Sequence, residues 1–371
     1  MAPTSGAQPG LVHDYLLVSR GAERTFAAMA ACWPDAPIYT LLYDEEPVAP
    51  LFGRREVHTS YLQRLHIGQR GFRYLLPLFP RATEHLDVGG HDLLVTSSSA
   101  FAQGVRPRPG AVHVCYCHSP FRYVWFERGR ALAEAPAPLR PLLRRQLDRI
   151  RAWDLKASRR VTQYVANSVG TQERIAELYG RESTVIHPPV AVDRFAVGTA
   201  EDYLLFVGQI VPHKRVEVAI EAALAAGLPI RIVGDGPDLP RLRAAYHRPD
   251  VSFRGAVTDE ELAALYAGCL ALVVPNIEEF GIAAVEAQAA GRPVVAIARG
   301  GVRETVVDGV TGVLVDAEDS GSIAEALRAT DFASFDSAAI RRHAETFSTE
   351  SFQRKLTALV ERAVAGEPQL A

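Results

Sequence analysis

Cysteine, lysine and long apolar runs are scarce in this chain of 371 residues. Its cysteines, Cys32, Cys115, Cys117 and Cys269, are too few and too scattered for a disulfide framework in a chain of this size. The apolar stretches are short and interrupted by Arg, Gly or Pro, so the sequence predicts no transmembrane helix. Residues 1–6 lack the charged and then apolar pattern of a signal peptide, and we therefore expect a cytoplasmic protein.

The sequence also lacks a clear metal or dinucleotide site. Cys115, Cys117 and His118 stand close together, but strand alternation would place His118 on the side opposite the two thiols. We therefore predict buried thiols and no bound metal. No Gly-x-Gly-x-x-Gly follows the first predicted strand, which argues against a nicotinamide dehydrogenase.

Positive charge is concentrated in the first half of the chain. Residues 1–190 carry 23 Lys and Arg against 17 Asp and Glu, whereas the remainder carries 17 against 26. Eight of the basic residues lie between Arg140 and Arg160. A solvated helix face is the usual explanation for such a cluster, and an anionic acceptor or a membrane surface is the alternative. No nucleic-acid-binding motif accompanies the cluster.

Apolar strand-like runs alternate with helix-compatible segments along the chain, which is the pattern of parallel sheets wound with helices. The first half contains runs at residues 11–17, 38–43, 92–96, 112–117, 160–166 and 184–187. The second half contains runs at residues 203–207, 230–233, 251–254, 271–275, 294–297 and 312–315. Because the paired prolines within 187–198 cannot continue a helix, we predict two α/β domains, residues 1–190 and 200–348, joined there by a hinge.

The segment 273–297 is the most informative part of the sequence, because it reads as strand, acidic turn, helix and strand. Glu278 falls in the turn, and Glu286 lies eight positions later on a predicted helix over 281–290. A strand that enters a helix through a tight turn presents backbone amides and a positive dipole end, which can hold a diphosphate. An isolated pair of this kind is more often two solvated acids, so the surrounding motifs decide its meaning.

This segment resembles the Glu-x7-Glu motif of retaining glycosyltransferases of family 4, which use nucleotide sugars and have the two-domain GT-B fold. The resemblance implies that Glu278 contacts the transferred sugar and that Glu286 binds the nucleotide ribose. It also implies that the amides of Phe280, Gly281 and Ile282 face the donor diphosphate.

A second motif, at residues 207–215, resembles the Gly-Arg-Leu-x-x-x-Lys-Gly phosphate loop of the same family. Its sequence is Val-Gly-Gln-Ile-Val-Pro-His-Lys-Arg. Lys214 matches the lysine of that loop, whereas Gln209 replaces its arginine. Arg215 stands where the family has glycine, and we predict that it supplies part of the missing phosphate-binding charge.

Two further positions match the nucleotide-binding part of the family. Gly234 begins a Gly-Asp-Gly-Pro turn that resembles the family's Gly-x-Gly-Pro turn near the nucleotide. Arg254 ends the next predicted strand at the same carboxyl edge, where ligands of wound parallel sheets bind. The resemblance therefore implies a nucleotide-contacting role for both.

The first half carries two matching motifs. Residues 19–24, Ser-Arg-Gly-Ala-Glu-Arg, resemble the family's Gly-Gly-Ala-Glu loop, which implies that Gly21 lies beside the donor phosphates; Arg20 replaces the first glycine. Residues 117–125, Cys-His-Ser-Pro-Phe-Arg-Tyr-Val-Trp, resemble the Cys-His-Thr-Pro-x-Arg-Tyr-x-Trp segment of polysaccharide-type members. There the histidine touches the transferred sugar, so we expect a functional role for His118, although a lone strand histidine is more often a core residue.

The resemblance extends from about His13 to Gly312 and implies a GT-B fold, an α/β architecture of two Rossmann-like, doubly wound domains facing a central cleft. It implies that a helix over 349–371 crosses back onto the N-terminal, acceptor-binding domain. The activity implied is retaining, metal-independent transfer of a hexose from a nucleoside-diphosphate sugar to a hydroxyl of a glycan, glycolipid or small-molecule acceptor. No cofactor beyond that donor is implied.

The segment 117–125 is most similar to mannosyl-type enzymes of surface-polysaccharide assembly, which implies GDP-mannose as donor and a cytoplasmic enzyme at the inner membrane face. Two alternatives stay open: a nucleotide-sugar 2-epimerase of the same fold, and a non-catalytic protein that binds nucleotide sugars. The sequence determines neither the acceptor, nor the linkage, nor the oligomeric state.

Overall fold

The computed structural model describes residues 8–53, 55–67 and 71–367, and the chain divides into two compact units. The first unit comprises the described residues through His187 together with those from Gln353 onward, and the second unit is Pro188–Phe352. Each unit contains one sheet, and every strand pairing in both sheets is parallel. The predicted α/β class with two wound sheets is therefore confirmed.

The first unit has a sheet of seven strands in the order β3-β2-β1-β4-β5-β6-β7. The strands are β1 Gly10–His13, β2 Ile38–Thr40, β3 Val57–Thr59, β4 Leu93–Ser98, β5 Val112–Cys117, β6 Gln163–Ala166 and β7 Ser183–Val185. The helices that follow them are α1 Gly21–Ala30, α2 Glu45–Phe52, α3 Phe79–Glu84, α4 Arg122–Trp125, α5 Arg128–Glu134, α6 Arg140–Ser158 and α7 Val169–Tyr179.

The second unit has a sheet of six strands in the order β10-β9-β8-β11-β12-β13. The strands are β8 Leu204–Val207, β9 Ile230–Val233, β10 Val251–Gly255, β11 Ala271–Val274, β12 Val294–Ile297 and β13 Gly312–Val315. The helices are α8 Val216–Ala226, α9 Leu239–Ala245, α10 Asp259–Gly268, α11 Ile282–Ala289, α12 Val302–Thr305, α13 Ser320–Ala329 and α14 Ser337–Glu345. A final helix, α15 Thr349–Val364, reaches the first unit, where Gln353 Nε2 donates to Ala28 O at 3.0 Å.

Burial on both faces explains why the second-unit strands appear as continuous apolar runs. In β11, Leu272 and Val274 pack into one hydrophobic cluster, while Ala271 and Val273 pack into another on the opposite face. Helices cover both clusters, so no position in this strand faces water. Among the described residues, no helix is both long enough and apolar enough to span a bilayer, and no group of three metal-binding side chains comes together.

Candidate functional site

The loops that follow β8, β9 and β11 meet at the carboxyl edge of the second sheet. The strand order reverses between β8 and β11, which are neighbours in the sheet although two strands separate them in sequence. In open parallel α/β sheets, ligands bind outside the carboxyl ends of the strands at such a reversal. Most of the predicted donor-binding residues lie on these loops or on α11, whereas Arg254 lies on β10 and Gly21 lies in the first unit.

Two glycines let the loops after β8 and β9 pack backbone against backbone. Gly234 has a φ of +133°, and a Cβ on it would collide with the carbonyl oxygen of Gly208. A Cβ on Gly236 would collide with the carbonyl oxygen of Ile210. The Gly-Asp-Gly-Pro turn therefore has a structural role here, since it holds the loop that leads to Lys214.

An ion pair joins the loops after β8 and β11. Lys214 ends a short 3₁₀ turn, and its Nζ lies 2.6 Å from Glu278 Oε1. Asn276 Nδ2 donates to the same oxygen at 2.9 Å. The side chains of Lys214 and Glu278 are 23% and 25% exposed, so the pair is only partly screened by water. The ammonium has three donors, so its pairing with Glu278 leaves donors for an anionic ligand.

The backbone fixes the position of Glu278. Glu278 pairs with Gly300 in an isolated parallel bridge, and Gly301 N donates to Glu278 O at 2.7 Å. Gly300 has a φ of +68°, and a Cβ on Gly301 would collide with the backbone at Phe280. Glycines after β12 thus allow the acidic turn to lie close against the next loop.

Glu286 lies on α11, in the second turn of the helix. Tyr266 of α10 is fully buried and donates its hydroxyl to Glu286 Oε2 at 2.9 Å. Burial, followed by the nearby Glu286 carboxylate, raises the pKa of Tyr266 well above its usual value, so the phenol stays protonated. Tyr266 therefore orients Glu286.

The N-terminus of α11 lies beside the acidic turn. Its N-cap, Gly281, has a φ of +90°, and a Cβ on it would lie 3.2 Å from Val302 Cγ1 and 3.4 Å from Thr305 Oγ1. The first amides of a helix have no intrahelical acceptors and form the positive end of the helix dipole. Phe280 is buried and packs on Phe347, whereas Ile282 is exposed. The described geometry is compatible with an anion at this end, as predicted for 280–282.

The phosphate-binding role of Arg215 stays a prediction, and in the structure this side chain pairs with Glu318. Its Nη1 donates to Glu318 Oε2 at 3.1 Å, and its Nη2 donates to the Glu318 backbone oxygen. Two of its nitrogens are therefore engaged by a residue after β13 rather than directed at the Lys214 cluster. Arg215 also has a φ of +52°, which explains why related loops place glycine at this position.

Two other predicted residues form no hydrogen bond with Lys214, Glu278 or Asn276 in the part of the chain that the structure describes. Gln209 and Arg254 are both exposed, at the ends of β8 and β10. Neither side chain makes a hydrogen bond or ion pair within the described part of the chain. Their nucleotide-binding roles remain predictions.

In the first unit, His118 belongs to a hydrogen-bonded chain of three side chains. Its Nε2 lies 2.8 Å from Ser97 Oγ, and the same oxygen lies 3.0 Å from His13 Nδ1. The strand register places His13 opposite Ser97 in the sheet. Burial lowers the pKa of His118 to about 4, with Arg122 contributing, and that of His13 to about 3, with His118 contributing. Both rings are therefore neutral at pH 7.

The two thiols and His118 have different surroundings, as the sequence predicted. Cys115 and Cys117 are free, buried and packed in a cluster with Tyr164. His118 follows the last residue of β5, is partly exposed and bonds to the polar Ser97. Its position at the carboxyl edge of the first sheet is compatible with ligand contact, which no observation here tests.

The loop predicted to lie beside the donor phosphates starts α1. Gly21 is the first residue of that helix, and Arg20 N donates to Glu23 Oε2 at 3.0 Å. Just before it, the buried Asp14 accepts backbone N–H groups of Ser99, Phe101 and Ala102 at 2.6 to 2.8 Å. Asp14 thus ties the loop after β1 to the loop after β4.

Sequence reasoning missed several residues that support the predicted ones, namely His13, Asp14, Ser97, Tyr266 and Asn276. The signal available for His13 and Asp14 was their position directly after the first strand, where parallel sheets bind ligands. Asn276 stood at the end of a strand beside Glu278. Nothing local marked Ser97 or Tyr266, because their partners are distant in sequence.

Comparison with known proteins gives two family matches in sequence order. Residues 19–194 match the family described as Glycosyltransferase Family 4, and residues 191–330 match the family described as Glycosyl transferases group 1. Relatives include the D-inositol 3-phosphate glycosyltransferase of Geodermatophilus obscurus, 37% identical over 56% of this chain and 53% of its own length. The Streptomyces avermitilis protein of the same description is 34% identical over 50% and 49%. The chain thus spans about half the length of these relatives.

Solved structures resemble the whole chain. Anabaena Alr3699/HepE in complex with UDP superposes with a TM-score of 0.69 at 16% identity, covering 95% of this chain and 99% of that one. Sucrose-phosphate synthase from Thermosynechococcus elongatus superposes with a TM-score of 0.69 at 19% identity, covering 97% and 100%. At such identities the likeness establishes the fold. Successive parts of the chain are therefore similar to two glycosyltransferase families, residues 19–194 to Glycosyltransferase Family 4 and residues 191–330 to Glycosyl transferases group 1, and the chain has the GT-B fold.

Proposed function

We propose that the protein is a retaining, metal-independent glycosyltransferase that moves a hexose from a nucleoside-diphosphate sugar to a hydroxyl acceptor. The observation that carries this proposal is the cluster at the edge of the second sheet. Lys214, Glu278 and Asn276 lie within hydrogen-bonding distance beside the N-terminus of α11, and Glu286 lies on the same helix. The cluster offers a cation and helix amides for a diphosphate, and carboxylates for sugar and ribose hydroxyls.

The roles of the site residues in transfer follow from the negative charge that develops on the leaving diphosphate. As the anomeric bond breaks, negative charge grows on the leaving diphosphate, and fixed donors aimed at that charge lower the barrier. We assign this role to Lys214 and the amides of 280–282, and sugar and ribose contacts to Glu278 and Glu286. We assign His118 to contact with the transferred sugar. The leaving phosphate would draw off the acceptor proton, since we identify no carboxylate as covalent nucleophile.

Two donors have independent support. The segment 117–125 favours GDP-mannose, whereas one solved neighbour was crystallised with UDP-glucose. The description of the relatives, D-inositol 3-phosphate glycosyltransferase, supports a phosphorylated small-molecule acceptor, which suits the positive charge of residues 1–190. A cytoplasmic location, with peripheral contact at the inner membrane face, belongs to the same proposal.

Release of nucleoside diphosphate from a panel of donors, with and without acceptors, tests the function. A transferase releases diphosphate in step with acceptor glycosylation, and the product anomer, identified by NMR, matches the donor. An epimerase converts the donor without any acceptor, and a binding protein releases nothing; either result would overturn the proposal. Activity should survive EDTA. Lys214→Ala should abolish release, while Lys156→Ala, at an exposed lysine of α6, should not.

A further inference from the structure

The first unit contains a cavity of about 440 Å³, to which the motif 117–125 contributes Phe121, Arg122 and Tyr123. Its floor is formed by Tyr15 after β1 and by Ser99 and Ala100 after β4. These are the loops that the buried Asp14 ties together. The cavity therefore opens at the carboxyl edge of the first sheet, where the strand order reverses between β1 and β4.

The wall of the cavity is largely apolar. Phe72, Leu76 and Phe79 line one side, and Leu143 and Leu147 of α6 line another. Tyr15 packs on Phe72 and Phe79 with ring centroids 5.2 and 5.1 Å apart, which stiffens this wall.

Four charged side chains line the cavity, and the formal charges of Arg122, Glu127, Arg130 and Glu134 sum to zero; the last three lie on the wall at α5. Arg130 pairs with Glu127 at 2.7 Å and with Glu134 at 3.5 Å, and all three side chains line the cavity. This wall therefore carries no unopposed cation that would select a fully ionic ligand. Apolar surface dominates what the cavity offers.

Further large apolar side chains are exposed on two of the segments that line the cavity. On the segment that carries Phe72 and Phe79, Tyr74 is 86% exposed and Leu78 is 42% exposed. On α6, Leu142 is 68% exposed and lies next to the cavity-lining Leu143. Large apolar side chains exposed together around a pocket mark a binding surface rather than ordinary solvent contact.

The exposed face of α6 adds positive charge. By helical periodicity, Arg145 and Arg149 lie on the same side of α6 as Leu142. Both arginines are exposed, and within the described residues neither has a carboxylate partner. A surface that alternates leucine and unpaired arginine suits an amphiphile with an anionic head group.

We propose that this cavity binds the hydrocarbon chain of an amphiphilic, anionic acceptor taken from a lipid surface. The inference rests on the proposed function for the identity of its ligand as acceptor. The cavity holds the chain, and the face of α6 with Leu142, Arg145 and Arg149 meets the anionic surface from which the lipid comes. An engineered apolar cavity of about 150 Å³ holds one benzene, so this one has room for a chain on the order of ten or more carbons.

Calorimetry with alkyl phosphates of increasing chain length, below their micellar concentrations, tests the proposal. Inorganic phosphate serves as the head-group control. Each added CH₂ should lower Kd about fourfold until the cavity is full, and inorganic phosphate should bind at least a hundredfold more weakly than dodecyl phosphate. A Kd that is indifferent to chain length would overturn the proposal, as would preference for naphthyl phosphate over decyl phosphate, which would indicate a soluble aromatic acceptor.

Matched variants separate the cavity from general surface adsorption. Ala131→Trp places an indole in the cavity, whereas Ala133→Trp places it on the exposed side of the same helix. The first should weaken dodecyl phosphate binding at least tenfold and the second should not. Phe72→Ala removes a side chain from the cavity wall, so the alkyl phosphate with the lowest Kd should have a longer chain than for the wild type. Nucleoside diphosphate binding is titrated in the same samples. If the wild type binds no nucleoside diphosphate, the proposed function is refuted. If the two Ala→Trp variants bind dodecyl phosphate equally well, the cavity is not its binding site.

Discussion

At the residue scale, His118 is distinguished from an ordinary core histidine by its surroundings. His113 on the same strand is fully buried and bonds to Thr96, whereas His118 is partly exposed at the sheet edge. We expect His118→Ala to keep nearly the wild-type Tm and to lose most transfer activity. His113→Ala, the matched control, should lower Tm because it leaves a cavity. A large drop in Tm for His118→Ala with transfer intact would identify His118 as a structural residue.

The neutral histidines make stability depend on pH. The pKa of His13 is about 3 in the folded protein, against 6.5 when unfolded. Between these values the unfolded state binds a proton that the folded state does not, so stability is complete above pH 6.5 and falls on acidification by up to about 1.4 kcal/mol per pH unit. His13→Gln should flatten the decline of Tm between pH 6.5 and 4 relative to wild type, whereas His247→Gln, at an exposed position, should not. Parallel declines for His13→Gln and wild type would show that His13 is not neutral.

Asp14 and Asp154 oppose this trend. Burial raises the pKa of both carboxyls, that of Asp154 to about 6, so their folded forms take up protons first and gain stability as pH falls. The Tm of the wild type against pH contains the contributions of the histidines and of the two carboxyls together. The effect of His13 is therefore the difference in Tm between His13→Gln and wild type at each pH.

The conformation of Arg215 gives a test that involves no ligand. A left-handed backbone costs a non-glycine residue about 1 kcal/mol, and both Arg215→Ala and Arg215→Gly lose the contacts with Glu318. Only the glycine variant relieves the backbone, so its Tm should lie a few degrees above that of the alanine variant. An alanine variant as stable as the glycine variant would mean that Arg215 is unstrained.

Sequence reasoning identified Lys214, Glu278 and His118 but not the side chains that orient them. Lys214 and Glu278 stood in motifs with fixed spacing. Ser97 lies 21 positions from His118 and 84 from His13, and only the register of three strands brings them together. Such partners depend on strand order, which a single sequence does not encode locally.

At the scale of elements, apolar continuity predicted the buried strands well. Each of the twelve predicted runs overlaps a strand, and α11 occupies 282–289 of the predicted 281–290. The strand missed, β3, has three residues, lies at the edge of the first sheet and is only partly buried. Its short Val-His-Thr run carries no apolar periodicity, so the signal that identified the others was absent.

The basic face of α6 predicts binding to anionic vesicles. Wild type should sediment with acidic but not neutral vesicles, and the interaction should fade at high salt because ions screen exposed charges. Arg145→Glu/Arg149→Glu should remove it, while Arg248→Glu/Arg303→Glu, with the same change in net charge on exposed arginines of the second unit, should not. Absence of wild type from both pellets would favour a soluble acceptor.

At the scale of the whole molecule, composition and the alternation of strand-like with helix-like segments predicted two wound sheets. The order of the strands within each sheet is known only from the structure. The strand orders matter because each sheet has one point where the order reverses, and a ligand can bind at the carboxyl edge there. The edge in the second unit holds the Lys214 cluster, and the edge in the first unit holds the cavity above Asp14. The motifs predicted where charge would lie, whereas the cavity combines the motif 117–125 with side chains from several distant segments, which the sequence alone did not bring together.

On the proposed function, the carboxyl edge of the second sheet binds the diphosphate of the donor. Calorimetric titration of UDP and GDP into wild type, Lys214→Ala, Glu286→Ala, Glu278→Ala and the control Lys156→Ala tests it most directly. Loss of a charge-assisted contact costs about 2 kcal/mol, so Lys214→Ala should weaken the preferred diphosphate at least tenfold, and Glu286→Ala should weaken it through the ribose. Glu278→Ala should bind as well as wild type or more tightly, because it releases Lys214 from its ion pair. Unchanged affinity in Lys214→Ala, or a larger loss in Glu278→Ala than in Glu286→Ala, would contradict the account.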